Sequence, residues 1–159
     1  MRVRTENRRR HPVSPVSGNP WSIRVMVLAG FAGMVDSGYV GFHSLTGLLI
    51  PCGPAGGCDQ VLNSSYSHWG GVSIAWFGFA FYLAVTAAGI FGLSGFRQVF
   101  RFSLIATLAA FLVTLYLLYV QAFILQAFCD YCLLSALLVF VILGAHLALR
   151  PWNGTPESA

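Results

Sequence analysis

Four apolar stretches, each close to the length of a bilayer crossing, leave few folds open to this chain. They run from residue 21 or 23 to about 42, from near 72 to near 93, from 102 to about 125, and from 129 to 149. A helix needs roughly 20 consecutive apolar residues to cross the hydrocarbon core. Helices also satisfy every backbone N–H and C=O without water, which lipid demands. Charge content agrees: 9% of the 159 residues are charged and 57% are hydrophobic, whereas a soluble domain averages roughly 25% charged. The expected fold is an all-α membrane protein, a four-transmembrane-helix bundle. Gly30, Gly33, Gly78 and Gly89 lie inside the runs and would let neighbouring helices approach closely. The first run follows a basic stretch, as in a signal peptide. It exceeds the usual apolar core of one, and no small-residue cleavage site follows, so it reads as a retained span.

Three parts are expected along the chain: a polar, basic arm over residues 1–20, the membrane body over 21–150, and a short tail over 151–159. Every basic side chain is arginine: Arg2, Arg4, Arg8, Arg9, Arg10, Arg24, Arg97, Arg101 and Arg150. They are not gathered on a soluble face, so the net charge of +4 does not point to nucleic acid. Instead they flank the start of the first run, the basic turn expected over 96–101, and the end of the fourth run. The positive-inside rule then puts both termini and the middle link in the cytoplasm, and the first and third connections outside. Cysteines introduced at Ser17 and Ser94, in a background lacking the native ones, should resist a membrane-impermeant thiol reagent in intact cells. One introduced at Ala55 should react, and outside labelling of Ser94→Cys would overturn the orientation.

All four cysteines, Cys52, Cys58, Cys129 and Cys132, fall in or beside the two outward connections. Outside the cytoplasm disulfides form and persist. Cys129 and Cys132 form a CxxC pair heading the fourth run. On a helix they share one face, with Cys132 about 4.5 Å deeper by the 1.5 Å rise per residue. A helix N-terminus favours the reactive thiolate. A dithiol there could meet a soluble partner on one side and a lipid-soluble oxidant on the other. Four thiolates could also hold zinc, but 70 residues (59–128) separate the two pairs, far more than structural zinc pairs usually show. Two structural disulfides are a further reading, although a CxxC ring is too small to stabilise much by loop closure. The first pair sits in a glycine-proline loop over residues 51–58 with no helix or strand pattern. Over residues 59–69 a short helix is expected, with Val61, Leu62, Tyr66 and Trp69 on one face, lying at the membrane interface as a lid; an ordinary loop with two anchoring aromatics is the other reading. Asn63-Ser64-Ser65 matches a glycosylation sequon, a pattern frequent by chance.

The order of these parts resembles the vitamin K epoxide reductase family, in particular its bacterial disulfide-forming members. Cys52 and Cys58 stand in the first outer loop, Ser64 follows six residues after Cys58, and Cys129-Asp130-Tyr131-Cys132 heads the fourth helix. Asp36-Ser37-Gly38-Tyr39, the stretch Gly57-Cys58-Asp59-Gln60-Val61-Leu62, and Gly78-Phe79-Ala80-Phe81-Tyr82 also look like family sequence, so the likeness spans residues 21–150. The resemblance implies a quinone-dependent thiol-disulfide oxidoreductase. A separate thioredoxin-like periplasmic partner would reduce the Cys52–Cys58 disulfide, with Cys52 the exchanging residue. Cys58 would attack Cys129, and Cys132 would pass electrons to a quinone of menaquinone or ubiquinone type. Ser64 would line the quinone site with Cys132. Two departures bear on the substrate and partner. The polar pocket residues of animal members are replaced here by Ile74 and Ala136, which favours an ordinary respiratory quinone over an epoxide. The chain ends at Ala159 without a fused thioredoxin-like domain, so the partner is expected to be a separate protein. The other four-helix quinone-linked oxidase family carries its CxxC in the first outer loop, the reverse of the order here. A non-enzymatic four-thiolate metal protein is the remaining alternative; for the favoured reading no metal is expected.

Other polar residues inside or beside the runs are less specific. Asp36 lies about 20 Å along the first run from Ile23, where a carboxylate is costly and often functional. A hydrogen-bonded structural role, a position at the outer interface and a proton-handling role are all open at this stage. His43 and His68 flank the outer loop and could move protons near neutral pH. His146, toward the other end, reads as structural.

Overall fold

The computed structural model describes residues 20–93 and 97–149. The arm expected over residues 1–20, apart from Pro20, and the tail over 151–159 lie outside the described residues. Four long helices form the body: α1 (Pro20–Thr46), α3 (Ile74–Leu93), α4 (Arg97–Tyr119) and α5 (Asp130–Leu149). Between α1 and α3 lie a short helix, α2 (Cys58–Leu62), a 3₁₀ turn over Ser65–Ser67, and two paired dipeptides, β1 (His68–Trp69) and β2 (Val72–Ser73). After α4 the chain continues for one wider, π-helical stretch, Val120–Leu125. The membrane-length segments are Trp21–Thr46, Ile74–Gly92, Val99–Leu125 and Asp130–Leu149. The expected all-α bundle is what forms.

Local chemistry sets the ends of these elements. Pro20 opens α1, where its missing N–H costs nothing. Gly47 closes it in the left-handed conformation (φ 65°), its N–H bonded to His43 O at 3.0 Å. Gly70 and Gly71, both at positive φ, make the turn that pairs β1 with β2. Ser73 Oγ then accepts the Ala75 N–H at 3.4 Å as α3 begins.

Two expected boundaries move. The basic turn foreseen over 96–101 is helical from Arg97 onward, because arginine is a good helix former and no breaker follows it. The interfacial helix is much shorter than the 59–69 segment expected, stopping at Leu62. Polar side chains there compete for the backbone. Ser64 Oγ donates to Val61 O at 2.7 Å, Asn63 Nδ2 to Asp59 O at 2.9 Å, and Ser67 Oγ to the carbonyls of Ser64 and Leu62. Val61 is buried, but Trp69 is 75% exposed and lies against Phe77 instead, so the four apolar residues do not share one helical face.

The helices pack in a ring, α1 against α3 and α5, and α4 against the same two from the other side. Ile23, Met26, Ala29, Tyr82, Val85, Val139, Ile142, Ala145 and Leu149 form the core. Small residues bring α1 and α3 together. A Cβ at Gly30 would stand 2.5 Å from Thr86 Oγ1, and one at Gly89 2.5 Å from Val27 Cγ2. At Gly33 a Cβ would collide with the ring of Tyr82. That ring cannot retreat, since Tyr82 is buried and its Oη donates to Ser135 O at 2.8 Å. Gly78 meets only Ser37, at an ordinary 3.5 Å. At the other end of the bundle His146 joins α5 to α4. Its Nδ1 lies 3.0 Å from the Ile142 carbonyl, which can only accept, so Nε2 accepts from Ser103 Oγ at 3.1 Å.

Candidate active site

The ends of α1 and α4 and the starts of α3 and α5 meet at one end of the bundle, and all four cysteines are there. Arg24 and Arg101, near the starts of α1 and α4, lie at the opposite end. Cys52 and Cys58 are joined by a disulfide with Cα atoms 5.7 Å apart, while Cys129 and Cys132 are free thiols. Accessibility separates the four: Cys52 is exposed, Cys58 and Cys129 are fully buried, and Cys132 is intermediate. Cys58 and Cys129 share one small cluster with Val61 and Ala127.

Residues of the CxxC segment grip the loop that carries the other pair. The Gly57 N–H donates to Phe128 O at 3.1 Å, the Ala55 N–H to Asp130 Oδ1 at 3.3 Å, and Tyr131 Oη to Pro51 O at 2.9 Å. A Cβ at Gly57 would lie 2.7 Å from Phe128 O, so only glycine permits this approach. Asp130 Oδ2 is 3.9 Å from Cys58 Sγ. Neither middle residue of the CxxC stood out in the sequence, yet both hold the loop.

Cys129 precedes α5, its carbonyl accepting the Leu133 N–H at 2.9 Å. Its own N–H donates to Gln121 Oε1 at 3.0 Å. Gln121 is buried in the π-helical end of α4, whose wider turn aims the amide at the CxxC. This residue escaped sequence reasoning; an amide inside an apolar span was the signal available. The hydrogen bond from the Cys132 side chain, the largest influence, and the Cys132 N–H 3.4 Å from Sγ hold the Cys129 thiol below its ordinary pKa. Cys129 is thereby biased toward the thiolate that exchange chemistry uses.

Cys132 also lines a cavity that is open on one side and has mostly apolar walls. Ser64, Asp36, Gln121, Ile74 and Ala136 line it as well. The pairing of Cys132 with Ser64 across 68 residues of sequence is thus spatial. The Ser64 hydroxyl proton is committed to Val61 O, which leaves its oxygen free to accept. His68 is exposed and bonded to Ser67 Oγ at 2.8 Å, and His43 Nδ1 has no hydrogen-bond partner among the described residues. Among those residues, metal-ligating side chains converge in a group of three or more only as Cys52, Cys58 and Asp130, within 4.8 Å. The four thiols do not form one cage.

The vitamin K epoxide reductase family model covers residues 24–147. The chain belongs to that family. Its reaction class is oxidoreduction, its setting is that of a multi-pass membrane protein, and quinones are the electron partners of the family in general. No curated protein matches the chain.

Proposed function

We propose that this protein oxidises a thioredoxin-like partner outside the cytoplasm and passes the electrons to a membrane quinone, so that its net product is disulfide bonds. The observation that carries this reading is the graded placement of the sulfurs, from the exposed Cys52 through the buried Cys58 and Cys129 to Cys132 on the cavity. A partner thiolate can reach Cys52 and not Cys58, so it attacks Cys52 and Cys58 leaves as thiolate. Cys58 then attacks Cys129 of an oxidised CxxC, and Cys132 is released. Cys52 is freed as the partner's second thiol closes the partner disulfide. It then attacks Cys58, which restores the outer disulfide and leaves Cys129 and Cys132 reduced. Two electrons and two protons now sit beside the cavity.

The residues there fit a quinone. Apolar walls with a few polar groups suit a flat, lipid-soluble ring. Cys132 supplies the electron pair, and Ser64 can accept a hydrogen bond from the hydroquinone product. Ile74 and Ala136, both on the cavity wall, offer no polar group to an epoxide. That supports a respiratory quinone of the menaquinone or ubiquinone type. The arginine pattern supports an inner-membrane protein with both termini, and with them the arm over 1–20 and the tail over 151–159, in the cytoplasm. Purified protein mixed with quinone and a reduced thioredoxin-like substrate should lower quinone absorbance by one equivalent per substrate disulfide formed. Substrate oxidation without quinone reduction would refute the reading.

A further inference from the structure

Asp36 is a carboxylic side chain inside an apolar helix, a position that is costly unless the group is satisfied or used. It is 9% exposed and makes no hydrogen bond or ion pair among the described residues. Its neighbour Ser37 is satisfied within α1, donating to Gly33 O at 2.6 Å. Asp36 lines the cavity, and among the described residues no other aspartate or glutamate does. Its charge would act on Tyr131 and Cys132 at the start of α5, on Cys129 just before it, and on Tyr82 of α3. They are the titratable groups of the elements packed on α1 that it influences.

Reducing a quinone with a dithiol moves two electrons and two protons: two thiols and a quinone become a disulfide and a hydroquinone. In an apolar cavity, charge developing on the quinone oxygen is costly unless a proton or a donor is already in place. Several candidate donors are spoken for. The hydroxyls of Ser37, Ser64, Ser67 and Tyr131 all donate to backbone carbonyls.

We propose that Asp36, in its acid form, hands a proton to the quinone oxygen while Cys132 Sγ delivers the electron pair and Cys129 Sγ closes the disulfide. The two thiol protons released in that closure supply the second quinone proton and return Asp36 to its acid form. This inference rests on the thiol-to-quinone reading above.

The test uses the full chain and the variants Asp36→Asn and Asp36→Glu. Asparagine keeps the shape of the side chain but has no acidic proton to give. With it, kcat for quinone reduction should fall by about a hundredfold or more while KM for quinone changes by less than about threefold, since general-acid catalysis typically contributes about 10²–10⁴-fold. Glutamate should recover most of the loss. Reduction of Cys52–Cys58 by a small dithiol should proceed at the wild-type rate in both variants, as a check on folding. A second readout needs no turnover: quinone added to fully oxidised protein should shift a protonated-carboxyl C=O band in the infrared difference spectrum. Asp36→Asn should lack that band. Wild-type kcat in Asp36→Asn, a change in KM alone, or no carboxyl band responding to quinone in the wild type would each overturn the inference. A wild type that oxidises its partner but reduces no quinone would instead overturn the thiol-to-quinone reading, and this inference with it.

Discussion

Replacing Cys132 by serine is expected to reduce quinone turnover to background while leaving the Cys52–Cys58 disulfide open to reduction by the partner. Cys132 is the only cysteine on the cavity wall, while Cys129 is fully buried beside Cys58. Without Cys132 the electron pair has no sulfur from which to reach a quinone. The outer pair should be unaffected, because its supports come from Phe128, Asp130 and Tyr131. Ser64→Ala should act on the same step but far more mildly. It removes one hydrogen-bond acceptor, about 0.5–1.5 kcal/mol, or roughly a two- to tenfold loss of turnover. Quinone absorbance follows the first effect, and alkylation of Cys52 and Cys58 after exposure to reduced partner follows the second. Normal quinone turnover in Cys132→Ser would sink the proposed electron route.

The bundle was legible because lipid allows so few solutions: apolar runs of the right length had to be helices, and arginines marked one end. The Cys132–Ser64 pairing was legible only through family resemblance, since nothing in the spacing places residues 64 and 132 on one wall. Asp36 was ambiguous in the sequence for a simple reason. A buried carboxylate is judged by its hydrogen bonds, and those depend on how α1 is rotated against α3 and α5. The short helix after Cys58 was overestimated because apolar periodicity was weighed above the backbone bonds of Asn63, Ser64 and Ser67. Gln121, Asp130 and Tyr131 were passed over as they act through contacts 8, 75 and 80 residues away, which no local pattern encodes.

Those long-range contacts lead to a sharp expectation for the relay. Two disulfides cannot exchange electrons unless a cysteine of one pair bonds a cysteine of the other, and Cys58 with Cys129 is the pair the fold favours. Gly56 is bridged to Phe128 and the Gly57 N–H is bonded to Phe128 O. The residues just before Cys58 therefore run alongside the residue just before Cys129. Both sulfurs belong to one buried cluster, out of reach of solvent thiols. A disulfide needs Cα atoms about 4.4–6.8 Å apart, the approach that Cys58 must make to Cys129 once Cys52 lets go. The left-handed Gly56 (φ 70°), with open space around its Cα, is where the loop can give, while Gly57 stays pinned. The double variant Cys52→Ser with Cys132→Ser removes both outlets for exchange. It should accumulate the Cys58–Cys129 bond as its dominant species, recovered as one cross-linked peptide pair by non-reducing mapping and resistant to alkylation without reductant. Two alkylatable thiols in that variant, under conditions that fully oxidise the wild type, would mean that the pairs communicate by a route other than Cys58.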